Sequence, residues 1–86
     1  GSNNPIDIAS VLVYPNPAND RVWVQVEDAE LRQVQLYDML GKCAMAFEAA
    51  GNAMEIELKE VPGGLYLLRL ETNRGWLTEK LMVKPR

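Results

Sequence analysis

Cys43 is the one thiol in 86 residues that contain no histidine. A thiol becomes a working nucleophile beside a general base or a positive neighbour, and the usual base, an imidazole, does not exist in this chain. Cys43 sits in K-C-A-M-A-F-E and alternates with Ala44 and Ala46, so it reads as a small buried hydrophobe of a strand. The missing histidines also exclude Ser-His-Asp and Cys-His catalysis, and metal sites built on histidine or on several cysteines. A single cysteine permits no intrachain disulfide. Glu55 and Glu57 form a carboxylate pair at i, i+2, which places both on one face of a strand. Met54, Ile56 and Leu58 claim the other face for the core, so the pair faces water and not the enclosed site that a glycosidase pair requires. Asn19-Asp20 with Glu27 and Asp28 offers oxygen ligands of the kind calcium takes, at a spacing that fits no loop motif. Gly63-Gly64 lacks the Gly-Lys-Ser/Thr of a phosphate loop. Trp23 and Trp76 are candidates for an aromatic platform under a sugar; both fall on the outward phase of their strands, where a loop or a neighbouring domain serves equally as a cover. The residues describe a protein that is not an enzyme and that uses no metal and no cofactor.

The elements that hold these groups follow a period of two. Residues 21–27, R-V-W-V-Q-V-E, put Val22, Val24 and Val26 on one side. Residues 31–38, L-R-Q-V-Q-L-Y-D, put Val34 and Leu36 on one side. In 42–48, Cys43, Met45 and Phe47 share a face; in 53–59, Met54, Ile56 and Leu58 do. In 65–71 the core face is Tyr66, Leu68 and Leu70, and in 76–84 it is Leu77, Leu81 and Val83. A first strand covers 11–14, and a short turn of helix is expected at 27–31. Thr72-Asn73-Arg74-Gly75 is a hairpin signal, since Asn and Gly tolerate positive φ. Gly41, Gly51 and Val61-Pro62-Gly63-Gly64 punctuate the remaining joins. About seven short strands at this spacing predict an all-β fold, a small immunoglobulin-like antiparallel β-sandwich.

Size and charge narrow the partners. The chain is one domain, 48% apolar and 24% charged, with a net charge of −3. The charge is uneven: residues 1–68 carry a net −6 and residues 69–86 a net +3. An acidic body with Arg69, Arg74, Lys80, Lys84 and Arg86 at one end lacks the broad basic face of a nucleic-acid binder. No run of about 18 apolar residues is present to span a bilayer as a helix. Gly1-Ser2 resembles a pair left by recombinant expression, so the chain reads as a piece of a longer protein.

The stretch V-Y-P-N-P-A-N-D (13–20) is unusual for a turn. Pro15 and Pro17 fix φ and remove two backbone donors, and each holds the residue before it extended. The segment is stiff, cannot join a central ladder, and crosses over before Asn19-Asp20 turn into the next strand. It is also preordered, which suits docking at low ordering cost. The basic end admits two uses: lysine protects an edge strand from pairing, or it offers a docking surface to an acidic partner, including one that adds a strand.

Three segments in order resemble one family: V-Y-P-N-P-A-N-D-R-V (13–22), V-Q-L-Y-D-M-L-G-K (34–42) and V-P-G-G-L-Y-L-L-R-L-E-T-N-R-G-W-L-T-E-K-L-M-V-K (61–84). This looks like the type A C-terminal sorting domain of cargo proteins of the bacterial type IX secretion system. The resemblance runs from about residue 11 to 86. Val61 stands where the family more often has leucine, a swap of similar character, and the two tryptophans are particular to this chain. The resemblance implies a domain that is itself substrate: it folds in the periplasm in transit, and the outer-membrane translocon recognises it and carries the attached cargo to the cell surface or the medium. A sortase-like cysteine peptidase then cuts it off. It implies residues 1–10 as remnant and linker to the cargo, with the cut among residues 3–10, and residues 11–86 as the sorting domain. The expected partner-binding residues are Pro15, Asn16, Pro17, Gly64, Tyr66, Gly75, Lys80, Val83 and Lys84. Expected partners are the translocon, the peptidase and the N-terminal cargo, with no nucleic acid; open strand edges add a strand-swapped homodimer. The competing reading is a carbohydrate-binding or adhesive accessory module resting on Trp23 and Trp76.

Overall fold

The structure, a computed structural model that describes residues 11–85, contains seven strands: β1 (Val11–Tyr14), β2 (Arg21–Val26), β3 (Leu31–Asp38), β4 (Cys43–Glu48), β5 (Ala53–Glu57), β6 (Gly64–Thr72) and β7 (Gly75–Val83). All pairings between strands are antiparallel. One sheet has the order β1-β2-β5 and the other β4-β3-β6-β7. The split follows from alternation: each strand has one apolar side to bury, and two sheets laid face to face bury all of them at once.

The shared core is Val22, Val24 and Val26 from β2, Val34 and Leu36 from β3, Ile56 from β5, Leu68 and Leu70 from β6, and Leu81 and Val83 from β7, with Leu31, Leu58 and Val61. Apart from Leu31 and Val61, these are the residues that the sequence assigns inward; Leu31 falls on the phase opposite Val34 and Leu36, and the β3–β6 register shifts between Leu31 and Gln33. Met45 and Phe47 of the edge strand β4 are only half-buried. Thr72 is the buried polar residue among those described; its Oγ1 donates to Gly75 O at 2.6 Å and accepts from Arg74 N at 3.0 Å, so the β6–β7 hairpin closes without an orphaned group.

Two expectations are corrected. Residues 27–31 form no helical turn. Asp28 takes φ of 61°, a left-handed conformation that Asp tolerates and a helix does not contain. The bend is then tied to the β6–β7 hairpin, with Glu30 N donating to Asn73 Oδ1 at 2.8 Å and Arg74 Nη1 donating to Asp28 O at 2.9 Å. Cys43 is exposed, not buried. Leu36 opposes Met45 but Tyr37 opposes Cys43, so Ala44 is an extra residue in β4. One inserted residue reverses the alternation beyond it and turns the thiol outward, where Sγ lies 3.3 Å from Met45 O as donor.

Candidate recognition site

The sandwich has two poles. At one, the start of β1 pairs with the end of β2, Val11 with Val26, beside the 27–30 bend and the β6–β7 hairpin. At the other lie the 15–20 segment, the β3–β4 turn, the β5–β6 corner and the end of β7. The three motifs, far apart in sequence, therefore converge at the second pole, away from the side on which the chain enters β1.

The 15–20 segment is a strap along the outer edge of β7. Asn16 does the work of a peptide group with its side chain. Its Nδ2 donates to Lys80 O at 2.9 Å and its Oδ1 accepts from Met82 N at 3.0 Å. A carboxamide has the donor and acceptor of a backbone amide, so it pairs with a strand edge as another strand would. Ala18 continues the pairing in parallel with Val83: Ala18 N donates to Met82 O at 2.8 Å and Lys84 N donates to Ala18 O at 2.7 Å. Pro15 and Pro17 are exposed on either side of Asn16 and offer no N–H outward. Both the Tyr14–Pro15 and Asn16–Pro17 peptide bonds are cis. A strap that lacks two of its backbone donors covers an open edge and is a poor template for another strand. That is what two prolines around one asparagine accomplish.

The β5–β6 corner meets the same place from the other side. Tyr66 is buried and its hydroxyl donates to Pro62 O at 2.6 Å, the tyrosine corner characteristic of immunoglobulin-like sandwiches. The bond holds Gly63 against the end of the chain. A Cβ at Gly63 would lie 2.6 Å from Pro85 Cα and 3.0 Å from Lys84 O, so nothing larger than glycine fits. Leu58 N donating to Asp20 O at 2.7 Å joins the corner to the strap.

Of the expected residues, Pro15, Asn16, Pro17, Lys80 and Lys84 are exposed together at this pole. Gly64 is half-buried at φ of 150°. Tyr66 and Val83 are buried and shape the pole from within. Gly75 lies at the opposite pole, at the far end of β7. The basic end is likewise divided. Arg74 holds the 27–30 bend, and the Arg69 guanidinium lies over the Trp76 ring, 3.9 Å from its centroid. Arg86 falls outside the described residues, as does the 3–10 stretch expected to hold the cut. Sequence reasoning missed Ala18 and Gly63. Both owe their place to small size, which sequence shows only as a turn residue.

The chemical alternatives do not assemble. Asp20 stands at the start of β2 and Glu27 just past its end, and no group of three potential metal ligands occurs among the described residues. Glu55 is exposed and ion-paired with Arg21 at 3.8 Å. Trp23 and Trp76 lie in different sheets, on the outward faces of those strands, so they form no common platform.

The family model of the secretion system C-terminal sorting domain matches residues 12–84, which reaches from within β1 to just past β7. The chain belongs to this family. As a curated relative, an endo-acting ulvan lyase of Formosa agariphila is 32% identical over 83 residues. The alignment covers 94% of this chain and 16% of the lyase, so the sorting domain spans about a sixth of that relative's length. Sorting domains of the type IX system are non-catalytic signals on cargo proteins that reach the cell surface or the medium.

Proposed function

We propose that this chain is the signal by which an attached N-terminal cargo is passed through the outer membrane by the type IX translocon, and that the domain itself catalyses nothing. The supporting observation is the clasp of strap and closing strand. It gathers the opening and closing motifs at the pole farthest from the chain's entry, where a bulky cargo would leave it free. The exposed members Pro15, Asn16, Pro17, Lys80 and Lys84 are the surface we assign to the translocon. Gly64, Tyr66 and Val83 hold that surface in shape, and Gly75 acts only through the hairpin. Residues 11–86 are the sorting unit and 1–10 the linker in which a sortase-like peptidase cuts, after folding in the periplasm.

The test is a fusion of residues 11–86 behind an unrelated periplasmic passenger in a type IX-competent cell. Export of passenger to the surface or medium is expected. Intact, folded fusion stranded in the periplasm would refute the proposal. Truncation from Lys80 is a poor probe, since it removes the buried Leu81 and Val83 and unfolds the sandwich.

A further inference from the structure

The β3–β4 turn presents two large apolar side chains where turn chemistry favours polar ones. Leu40 is 94% exposed and Met39 is 58% exposed. The turn is rigid. Asp38 Oδ1 accepts from Leu40 N and from Lys42 N, each at 2.9 Å. Gly41 N donates to Asp38 O at 3.0 Å, Asp38 N donates to Lys42 O at 2.9 Å, and Gly41 supplies the positive φ of 87°. Beside the knob is a depression on the outer face of the four-stranded sheet, lined by Tyr37, Asp38, Met39, Leu67, Arg69, Trp76 and Thr78, with the Asp38 carboxylate bonded through Oδ1 to the Leu40 and Lys42 amides. In register, Tyr37 neighbours Leu67, and Leu67 neighbours Lys80. Three cations, Arg69 in the depression, Lys80 beside Leu67 and Lys42 at the foot of the turn, thus stand around this floor against the Asp38 carboxylate. Glu48 and Glu71, the carboxylates on the outward face of β4 and β6, stand at the far end of the sheet opposite Gln33.

We propose that this knob and depression dock a protein partner whose complementary surface is apolar at its centre and acidic at its rim. The positive rim calls for acidic groups. It also opposes a second copy of this chain, because a two-fold contact would set Lys42, Arg69 and Lys80 against themselves. The depression favours a protein over a lipid surface, because a hollow next to a rigid knob is filled by shaped side chains and a bilayer plane reaches only the knob. A turn braced by four hydrogen bonds loses little freedom on binding, so most of the contact energy of Leu40 and Met39 is kept.

The proposal rests on the sorting reading, and its test separates the two. In a type IX-competent cell making the passenger fusion, a photo-crosslinking residue is placed at position 40, with position 12 on the other sheet as control. The expected result is an adduct with an envelope protein at 40 and not at 12, lost in Lys42→Glu/Lys80→Glu. Leu40→Asp should lower passenger export about tenfold or more, as loss of an interface anchor does, with its unfolding transition unchanged. Export equal to wild type with no charge-dependent adduct overturns the proposal. An adduct between two copies of the chain also overturns it, as does flotation of the purified chain with phosphatidylglycerol-containing vesicles that Leu40→Asp abolishes. Were the wild-type passenger itself retained, the sorting reading would fall, and the crosslink at position 40 would still decide the docking face.

Discussion

At the scale of residues, Asn16 and Tyr66 make the sharpest predictions because each replaces one identifiable bond. Asn16 is exposed, so water takes over when its amide is removed. Asn16→Ala should cost about 1 kcal/mol, read as a fall of roughly 4–8 °C in the unfolding midpoint of a domain this small. Asn16→Asp keeps the acceptor for Met82 N but puts a second acceptor against Lys80 O, so it should destabilise at least as much; an Asp variant as stable as wild type would refute the strap geometry. Tyr66→Phe removes the bond to the carbonyl of the exposed Pro62, where water can take over, and should cost about 0.5–1.5 kcal/mol in denaturant unfolding. Cys43 should react with a maleimide in the folded protein nearly as fast as in denaturant, since the bulge at Ala44 turns it outward. Strong protection of the thiol would contradict that placement. The sequence could not reveal this reversal. Alternation announces which residues share a face, but an inserted residue carries no signature when it is an alanine between a cysteine and a methionine.

At the scale of elements, what was legible was what depends on local chemistry. Seven strands, their inward faces except at Cys43, and the 72–75 hairpin follow from alternation and turn residues, and the structure has them. The stiffness of the 15–20 segment was legible too, because proline acts locally. Its target was not: Asn16 and Lys80 are 64 residues apart, and nothing in either residue names the other. The same limit divided the basic end. Arg69, Arg74, Lys80 and Lys84 are close in sequence, yet a strand of nine residues, β7, sets Arg74 and Lys84 at opposite poles. The turn expected as helix at 27–31 failed for a related reason, since its shape is imposed by distant contacts with Asn73 and Arg74. Gly63→Ala tests the contact between elements directly. Its methyl would collide with the Pro85 backbone, so the end of the chain must shift. A loss of about 1–3 kcal/mol is expected, the usual cost of overpacking, with faster amide exchange at Lys84, whose N–H is held by Ala18. Unchanged exchange at Lys84 would show that the corner does not hold the closing strand.

At the scale of the whole molecule, the architecture divides labour between its poles. The pole by Val11 and the β6–β7 hairpin is where the chain enters the described domain, and the pole by Pro15 and Lys84 carries the strap with Lys80 and Lys84 exposed beside it. On the proposed function this separation is useful, because a cargo attached at one end would not disturb a surface read at the other. The fold also protects its sheet edges. The end of β7 is covered by a strap with two prolines, β4 is bent by a bulge, and β1 is only four residues long. The measurement that bears most directly on this account is passenger export by the 11–86 fusion with Lys80→Glu and Lys84→Glu, set beside the wild-type fusion at equal folded amount. The account predicts that the wild type exports its passenger and that the charge-reversed domain, with an unchanged unfolding transition, leaves it in the periplasm. Equal export by both would contradict the claim that the clasped pole is what the translocon reads.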